Sequence, residues 1–149
     1  MPQYWIGVAS KEHAQEDVER GVSQFHHGEL KPALRLKKGD RVIIYSPWIS
    51  HIEKDAFHKF TAIGIVQDDE PHQVEQKPGF KPYRHNVQYF DSSEVDIHTL
   101  LPDLPFIPDK KRWGMKFRYG LLEIDQKSFT VIAKAMLSEK DFKRIVSYT

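Results

Sequence analysis

Lys110-Lys111-Arg112-Trp113-Gly114-Met115-Lys116-Phe117-Arg118 places five cations and two aromatic rings in nine residues, on a chain whose formal net charge is +1. Cations hold phosphates without regard to sequence, and aromatic faces stack on bases, so the combination suits a polyanion that carries rings. The same spacing has a plainer reading. Trp113 and Phe117 stand four apart, so on a helix both rings share a face and pack inward while the cations stay in water. In the first reading Lys110, Lys111, Arg112 and Lys116 hold a nucleic-acid backbone, joined by Arg84 from a turn rich in aromatics.

The other aromatics add weight to a base-binding chemistry. Trp48 follows a strand end at Pro47, where chains leave the core and ligand loops begin, and it fits a pocket wall as well as a core. Phe80 and Tyr83 bracket Lys81-Pro82 in a turn, with Arg84 adjacent, and Phe25 adjoins His26 and His27 in irregular chain. Trp5, inside an apolar strand, belongs to the core. Several loops thus offer a flat side chain beside a cation or hydrogen-bonding group. A single-stranded or flipped base is held in this way, with stacking worth about 1–3 kcal/mol per base.

Catalytic and metal chemistry find no such support. None of the eight histidines forms an HxxxH pair or an HExxH motif, and the absence of cysteine removes thiolate and cysteine-zinc chemistry together. GxSxG, GxGxxG and phosphate-cradling glycine loops are absent as well. No cofactor and no metal are expected.

At 149 residues, 40% hydrophobic and 29% charged, the chain is long enough for one domain with its own core. It holds no apolar run near the roughly 20 residues of a transmembrane helix and no charged-then-apolar leader, so the expectation is a cytoplasmic protein with no membrane partner. Near-neutral net charge confines any nucleic-acid contact to a local patch.

These residues need elements to hold them. Tyr4 to Ala9 reads as a buried strand, and Ser10 caps a helix through Glu19 that Gly21 ends. Ser23 to Leu34 reads as irregular. Lys38-Gly39-Asp40 turns into a core strand, Arg41 to Ser46, stopped by Pro47. Ala56 to Gln67 is a longer strand in which Gly64 marks a bulge or a close approach. Asp68 to Pro71 is a solvated acidic turn and Pro78 to Pro82 another turn, before a strand from Tyr83 to Phe90. Asp96 to Leu101 forms one helical turn, and Leu121 to Ile124 a short strand or helix end. Asp125 to Met136 has helical spacing, and Ser138 caps a last helix to about Ser147, with Asp141 as the capping-box acid. Uneven strands with helices near both ends point to an α+β fold, a curved sheet or barrel with helices outside.

Five segments in order resemble the EVE domain, a member of the PUA-like superfamily: YWIGVASKEH, HHGELKPALRLKKGDRVIIYSP, FTAIGIVQDDEPHQVE, KPGFKPYRHNVQYF and RWGMKFRYGLLEI. The match runs from about Tyr4 to Met136. It implies a PUA-like curved mixed sheet or β-barrel with flanking α-helices, one domain over residues 1–149, related to the YTH readers of methylated adenine. It also implies a pocket that encloses a modified base with aromatic side chains. The resemblance carries Ser10 and Lys11 to the pocket end of the first strand, and Ser46, Pro47 and Trp48 to the end of the second. The Phe80 to Arg84 turn, which includes Tyr83, falls where YTH relatives supply a cage aromatic, and Arg118 and Tyr119 fall at a polar base contact. Where those readers carry a cage tryptophan this chain has Ser23 or Gln24, so Phe25 or His27 has to compensate.

The expectation is therefore a non-catalytic module that holds a modified, methylated base of DNA or RNA. Two alternatives stand beside it: a sensor of a small molecule or nucleotide metabolite in the same pocket, and a nucleotide hydrolase with His27 or His85 as base.

Overall fold

The run Val42-Ile43-Ile44-Tyr45 has no polar face, so it must be covered on both sides. In the computed structural model, which describes residues 1–52 and 54–147, that run lies in the middle of the sheet. β1 (Tyr4–Val8) and β3 (Arg41–Trp48) are parallel neighbours, and the short β2 (Val22–Ser23) falls between them in the chain. β4 (Ala56–Val66), β5 (His72–Gln73), β6 (Tyr83–Tyr89), β7 (Val95–Asp96) and β8 (Leu121–Ile124) follow. The spatial order is β2-β6-β4-β3-β1-β8, with β5 paired to β6 and β7 to β4. All these pairings except β1 with β3 are antiparallel, and the mixed sheet curls into a half-barrel with helices on its flanks.

The strands depart from expectation in instructive places. β3 runs past Pro47 to Trp48, because a register shift between Ser46 and Trp48 gives the proline an irregular position where it owes no ladder hydrogen bond. Opposite it in β4, His58 adopts a φ of 52°. Gly64 serves close approach: a Cβ there would press on the Gln88 carbonyl of β6.

α1 (Lys11–Arg20) begins at Ser10, whose Oγ accepts from the His13 N–H at 3.1 Å. The segment expected to be irregular takes in the end of β2, a 3-10 turn over His26–Gly28 and the one-turn α2 (Leu30–Ala33). Pro32 fits that first turn because its missing N–H would have had no helical partner. α3 (Gln126–Met136) and α4 (Glu139–Val146) start on Asp125 and Ser138, which accept from the Ser128 and Asp141 N–H groups. The acidic turn does more than face water: Asp68 holds the buried His85 Nδ1 at 2.6 Å and accepts from the Asn86 N–H at 3.0 Å.

Alternation along the strands divides the core in two. Tyr4, Ile6, Ile43, Tyr45 and Phe60 pack with Phe129, Ile132 and Met136 of α3 and Ile145 of α4. Trp5, Val42, Ile44 and Ala62 pack with Ala14 of α1, Phe25 and Leu36. Two buried charges at the start of β3 tie the layers together. Asp40 accepts from the Trp5 Nε1–H at 2.9 Å and from the Gln3 and Lys37 N–H groups. Arg41 donates to the Ile145 and Ser147 carbonyls at the end of α4, where the helix dipole favours a cation.

Candidate functional site

Because β1 and β3 are parallel, their C-terminal ends leave the sheet at one edge and the segments that follow them meet there. A cavity of about 500 Å³ lies at that junction. Val8 and Ala9 form its floor at the end of β1, and His13 enters from the first turn of α1. Gln24, Phe25 and His27 come from the chain after β2, Pro47 and Trp48 from the end of β3, and His51 from the loop beyond. Gly114, Phe117, Arg118 and Gly120 close the remaining side.

Each wall has a local cause. The far edge of the Phe25 ring lies against Gly7, where a Cβ would collide with it, so a bare backbone in β1 makes room for the aromatic wall. The bulge at Pro47 re-aims Trp48, and Lys54 Nζ lies 5.5 Å from the centroid of its ring. Gln24 is held by the far hairpin: its Oε1 accepts from Arg84 Nε at 3.0 Å, and its Nε2 donates to Gln76 Oε1 at 3.1 Å. His27 has a φ of 57°, a left-handed backbone unusual for a side chain with a Cβ.

The fourth wall belongs to a 3-10 helix, Lys110–Tyr119, which starts on Asp109 and kinks at Arg112. In such a helix residues three apart eclipse, so Gly114 and Phe117 form one row facing the cavity, and Gly120, at the cap with a φ of 74°, lines it beside them. Both rings of the segment pack inward. Phe117 stacks on Tyr45 at 4.1 Å between centroids, and Trp113 meets Tyr45, His58 and His98 edge-on.

His13, on the α1 side of the cavity, is paired with a carboxylate of its own helix. Its Nε2 lies 3.3 Å from Asp17 Oδ1, and the hydrogen bond to that carboxylate raises its pKa above the usual imidazole value, with burial opposing. Asp17 is itself pushed up, first by burial, with His13 opposing. The half-buried histidine and buried aspartate thus retain protons that water would take. Among the described residues no carboxylate lines the cavity, and no three histidine, aspartate and glutamate side chains converge as metal ligands.

With this geometry in view, comparison with known proteins settles the kinship. The EVE domain profile matches residues 3–135. The chain belongs to the EVE domain family. It is 42% identical over 134 residues to a UPF0310 protein of Mycolicibacterium vanbaalenii, a match covering 90% of this chain and 92% of that one. The UPF0310 protein YdcG of Bacillus subtilis is 35% identical over 133 residues, covering 89% and 91%. Neither name states an enzymatic activity. The NMR structure of a Rhodopseudomonas palustris protein superposes with a TM-score of 0.56 at 12% identity, over 89% of this chain and 92% of that one. A crystal structure of an Agrobacterium tumefaciens protein gives 0.55 at 13% identity, also over 89% and 92%. Those likenesses concern the fold, which is the PUA-like α+β arrangement.

In this EVE domain, Phe25, His27, Pro47, Trp48 and Arg118 are brought together from distant parts of the chain. The other residues singled out from the sequence sit elsewhere. Ser10 is buried and spends its hydroxyl on the cap that fixes His13. Lys11 pairs with Glu94 at 3.3 Å and lies 5.0 Å from the Phe57 ring centroid. Ser46 is buried within the sheet against Thr61, Oγ to Oγ1 at 2.8 Å. Phe80 closes a turn under Lys77, and Tyr83 faces a small gap beside Phe25 and His85. Tyr119 lies on the outer side of the 3-10 helix.

The expected cations divide as well. Lys110 Nζ donates to the Leu104 carbonyl at 2.7 Å, and Arg84 is engaged with Gln24 and Gln76, so both act as ties within the fold. Lys111, Arg112 and Lys116 are exposed. His85, a candidate base, has Asp68 on Nδ1 and the Ala33 carbonyl on Nε2, both at 2.6 Å, and is 1% exposed. No nitrogen remains for substrate. The side chain of His26 lies outside the described set.

Sequence reasoning missed Val8, Ala9, His13, His51, Gly114 and Gly120 as lining residues, while Gln24, one of the two residues set at the cage-tryptophan position, does line the cavity. For His13 a signal existed: Ser10 fixes the helix start, and a residue three positions on points back over the strand end. Gly114 becomes legible once the segment is read with a period of three.

Proposed function

We propose that the cavity of this EVE domain receives one modified base of a DNA or RNA strand and binds it without turnover. The supporting observation is one concave site in which the rings of Trp48 and Phe25 meet His13, Gln24, His27, His51 and Arg118. Its volume falls in the range of about 300–1,000 Å³ that suits a small ligand with most of its surface covered. Rings supply stacking to a base that has left its neighbours, and the polar side chains offer hydrogen bonds to its edge. A methyl group buried there adds about 0.8 kcal/mol, and a fitted pocket discriminates by about 1–3 kcal/mol.

Binding to matched oligonucleotides, DNA and RNA, each differing in one base modification, tests the reading. Trp48→Ala is expected to weaken the preferred strand by about 1–3 kcal/mol and to narrow its advantage over the unmodified one. Equal affinity for every modified and unmodified strand would refute the proposal. Tight, salt-independent binding of the free nucleoside, with no gain from a strand, would favour the metabolite sensor instead. Release of a product from any nucleotide would favour the hydrolase.

A further inference from the structure

The 3-10 helix Lys110–Tyr119 is a partition with two sides. Gly114, Phe117 and Gly120 face the cavity, while Met115 and Arg118, three apart, form the next row with Arg112 beside them at the kink. That second row, with Lys116 and Tyr119, lines an outer hollow of about 290 Å³ closed by Ile107 and Pro108. Arg118 borders both spaces. Tyr119, 70% exposed, is shared in turn with a third hollow of about 440 Å³, where Lys31 and Arg35 of the α2 region stand over Leu121 and Leu122 of β8.

From the proposed base-binding reading we infer that a single-stranded segment runs from the cavity over Arg118 and across Tyr119 to Lys31 and Arg35, so that nucleotides flanking the held base occupy the two outer hollows. Three observations converge on that ligand. The concavities share border residues and form one continuous track. Five cations line it (Arg118, Arg112, Lys116, Lys31 and Arg35) against two acids, Asp109 and Glu123. Asp109 is already engaged by the Lys111 and Arg112 N–H groups at the helix start. Among the described residues none of the five cations is held in an ion pair. An exposed tyrosine between charged hollows is a stacking platform between phosphate sites, the pattern of a single-strand groove. Arg35 is held in place, its guanidinium 4.8 Å over the Trp5 ring.

The test uses fluorescein-labelled oligothymidylate and oligouridylate of about 12 nucleotides, enough to span one such groove. Tyr119→Ala is expected to weaken whichever polymer binds by about tenfold, one lost stacking contact. Lys31→Glu is expected to weaken it severalfold and to make the salt slope shallower by about one unit. Lys140→Glu on α4, an equal change in net charge, is expected to leave affinity within about twofold, since a charge outside the track neutralises no bound phosphate.

If Trp48→Ala weakens the strand while the Tyr119 and Lys31 changes do not, the track is wrong and the cavity reading stands. The opposite result keeps the track and takes Trp48 out of the path of an unmodified strand, while the cavity reading is judged on the modified strands. If Lys140→Glu matches Lys31→Glu, the effect is net charge alone and the track is overturned. No binding of either polymer by the unaltered protein overturns the track, while the cavity reading is judged on the modified strands.

Discussion

The two faces of the central sheet are built from the same alternating strands and finish differently. On the face carrying Tyr4, Ile6, Ile43 and Tyr45, α3 lays Phe129, Ile132, Ala133 and Met136 into the sheet, and the cavity is reached at the rim, through Val8 and Phe117. On the face carrying Trp5, Val42 and Ile44, α1 supplies Ala14 to the core and the chain after β2 supplies Phe25. A helix with a broad apolar stripe closes its face. One that contributes a small residue and polar neighbours leaves an opening, and here the opening is the cavity. Closed packing is where stability resides in this domain, and the thinly covered edge is where chemistry has room.

The sharpest way to break that contrast is Phe129→Ala. The ring is fully buried, 4.7 Å between centroids from Tyr4, so its loss is expected to cost about 3–5 kcal/mol in a denaturant melt. Ligand selectivity is expected to survive in the fraction that remains folded; a change in selectivity with little loss of stability would show the faces to be reversed.

Gly7→Ala probes the open face. Its new methyl meets the Phe25 ring, and overpacking of this kind costs about 1–3 kcal/mol. Here stability and ligand affinity should fall together. Phe25→Leu in the same chain should restore part of the stability but none of the affinity, a cycle readable by melting and by titration.

A smaller effect is expected from the His13 and Asp17 pair. Both groups have raised values in the folded state, so the native protein binds more protons than the unfolded chain, and stability falls as pH rises. The histidine contribution is full below its unfolded value of 6.5 and is lost as pH climbs through the higher folded value. His13→Asn should therefore flatten the melting temperature between that value and mildly alkaline pH. An unchanged slope would mean that another group carries it.

The smallest expected change is at His27. Glycine removes the left-handed backbone cost of about 1–2 kcal/mol but adds entropy to the unfolded chain, leaving a net shift below about 1 kcal/mol. Loss of the imidazole from the cavity should still register in binding.

Much of this architecture was legible because its causes are local. Ser10 and Ser138 announce their helices through side chains that satisfy the next turn, apolar spacing announces α3, and Val42 to Tyr45 announce a doubly covered strand. Trp48 could be placed near a site because Pro47 breaks the ladder beside it. What could not be read depends on partners far away in the chain. Arg84 looked like a surface cation because nothing local reveals Gln24 and Gln76 as its partners, and Lys11 gave no hint of Glu94. The segment from Lys110 hid its two sides because a period of 3.6 and a period of three assign its residues to different faces.

Arg41 also bears on how the chain is made. Its guanidinium is sequestered beside β3, yet its carbonyl partners at Ile145 and Ser147 lie 104 and 106 residues later. β1 likewise waits for β8 as its outer neighbour, Tyr4 opposite Ile124. A chain emerging from the ribosome therefore carries a cation-bearing, half-covered sheet through most of its synthesis, and no early portion can complete the structure alone. Closing such long loops is slow, so the contacts of Arg41 with the end of α4 belong to the late part of folding.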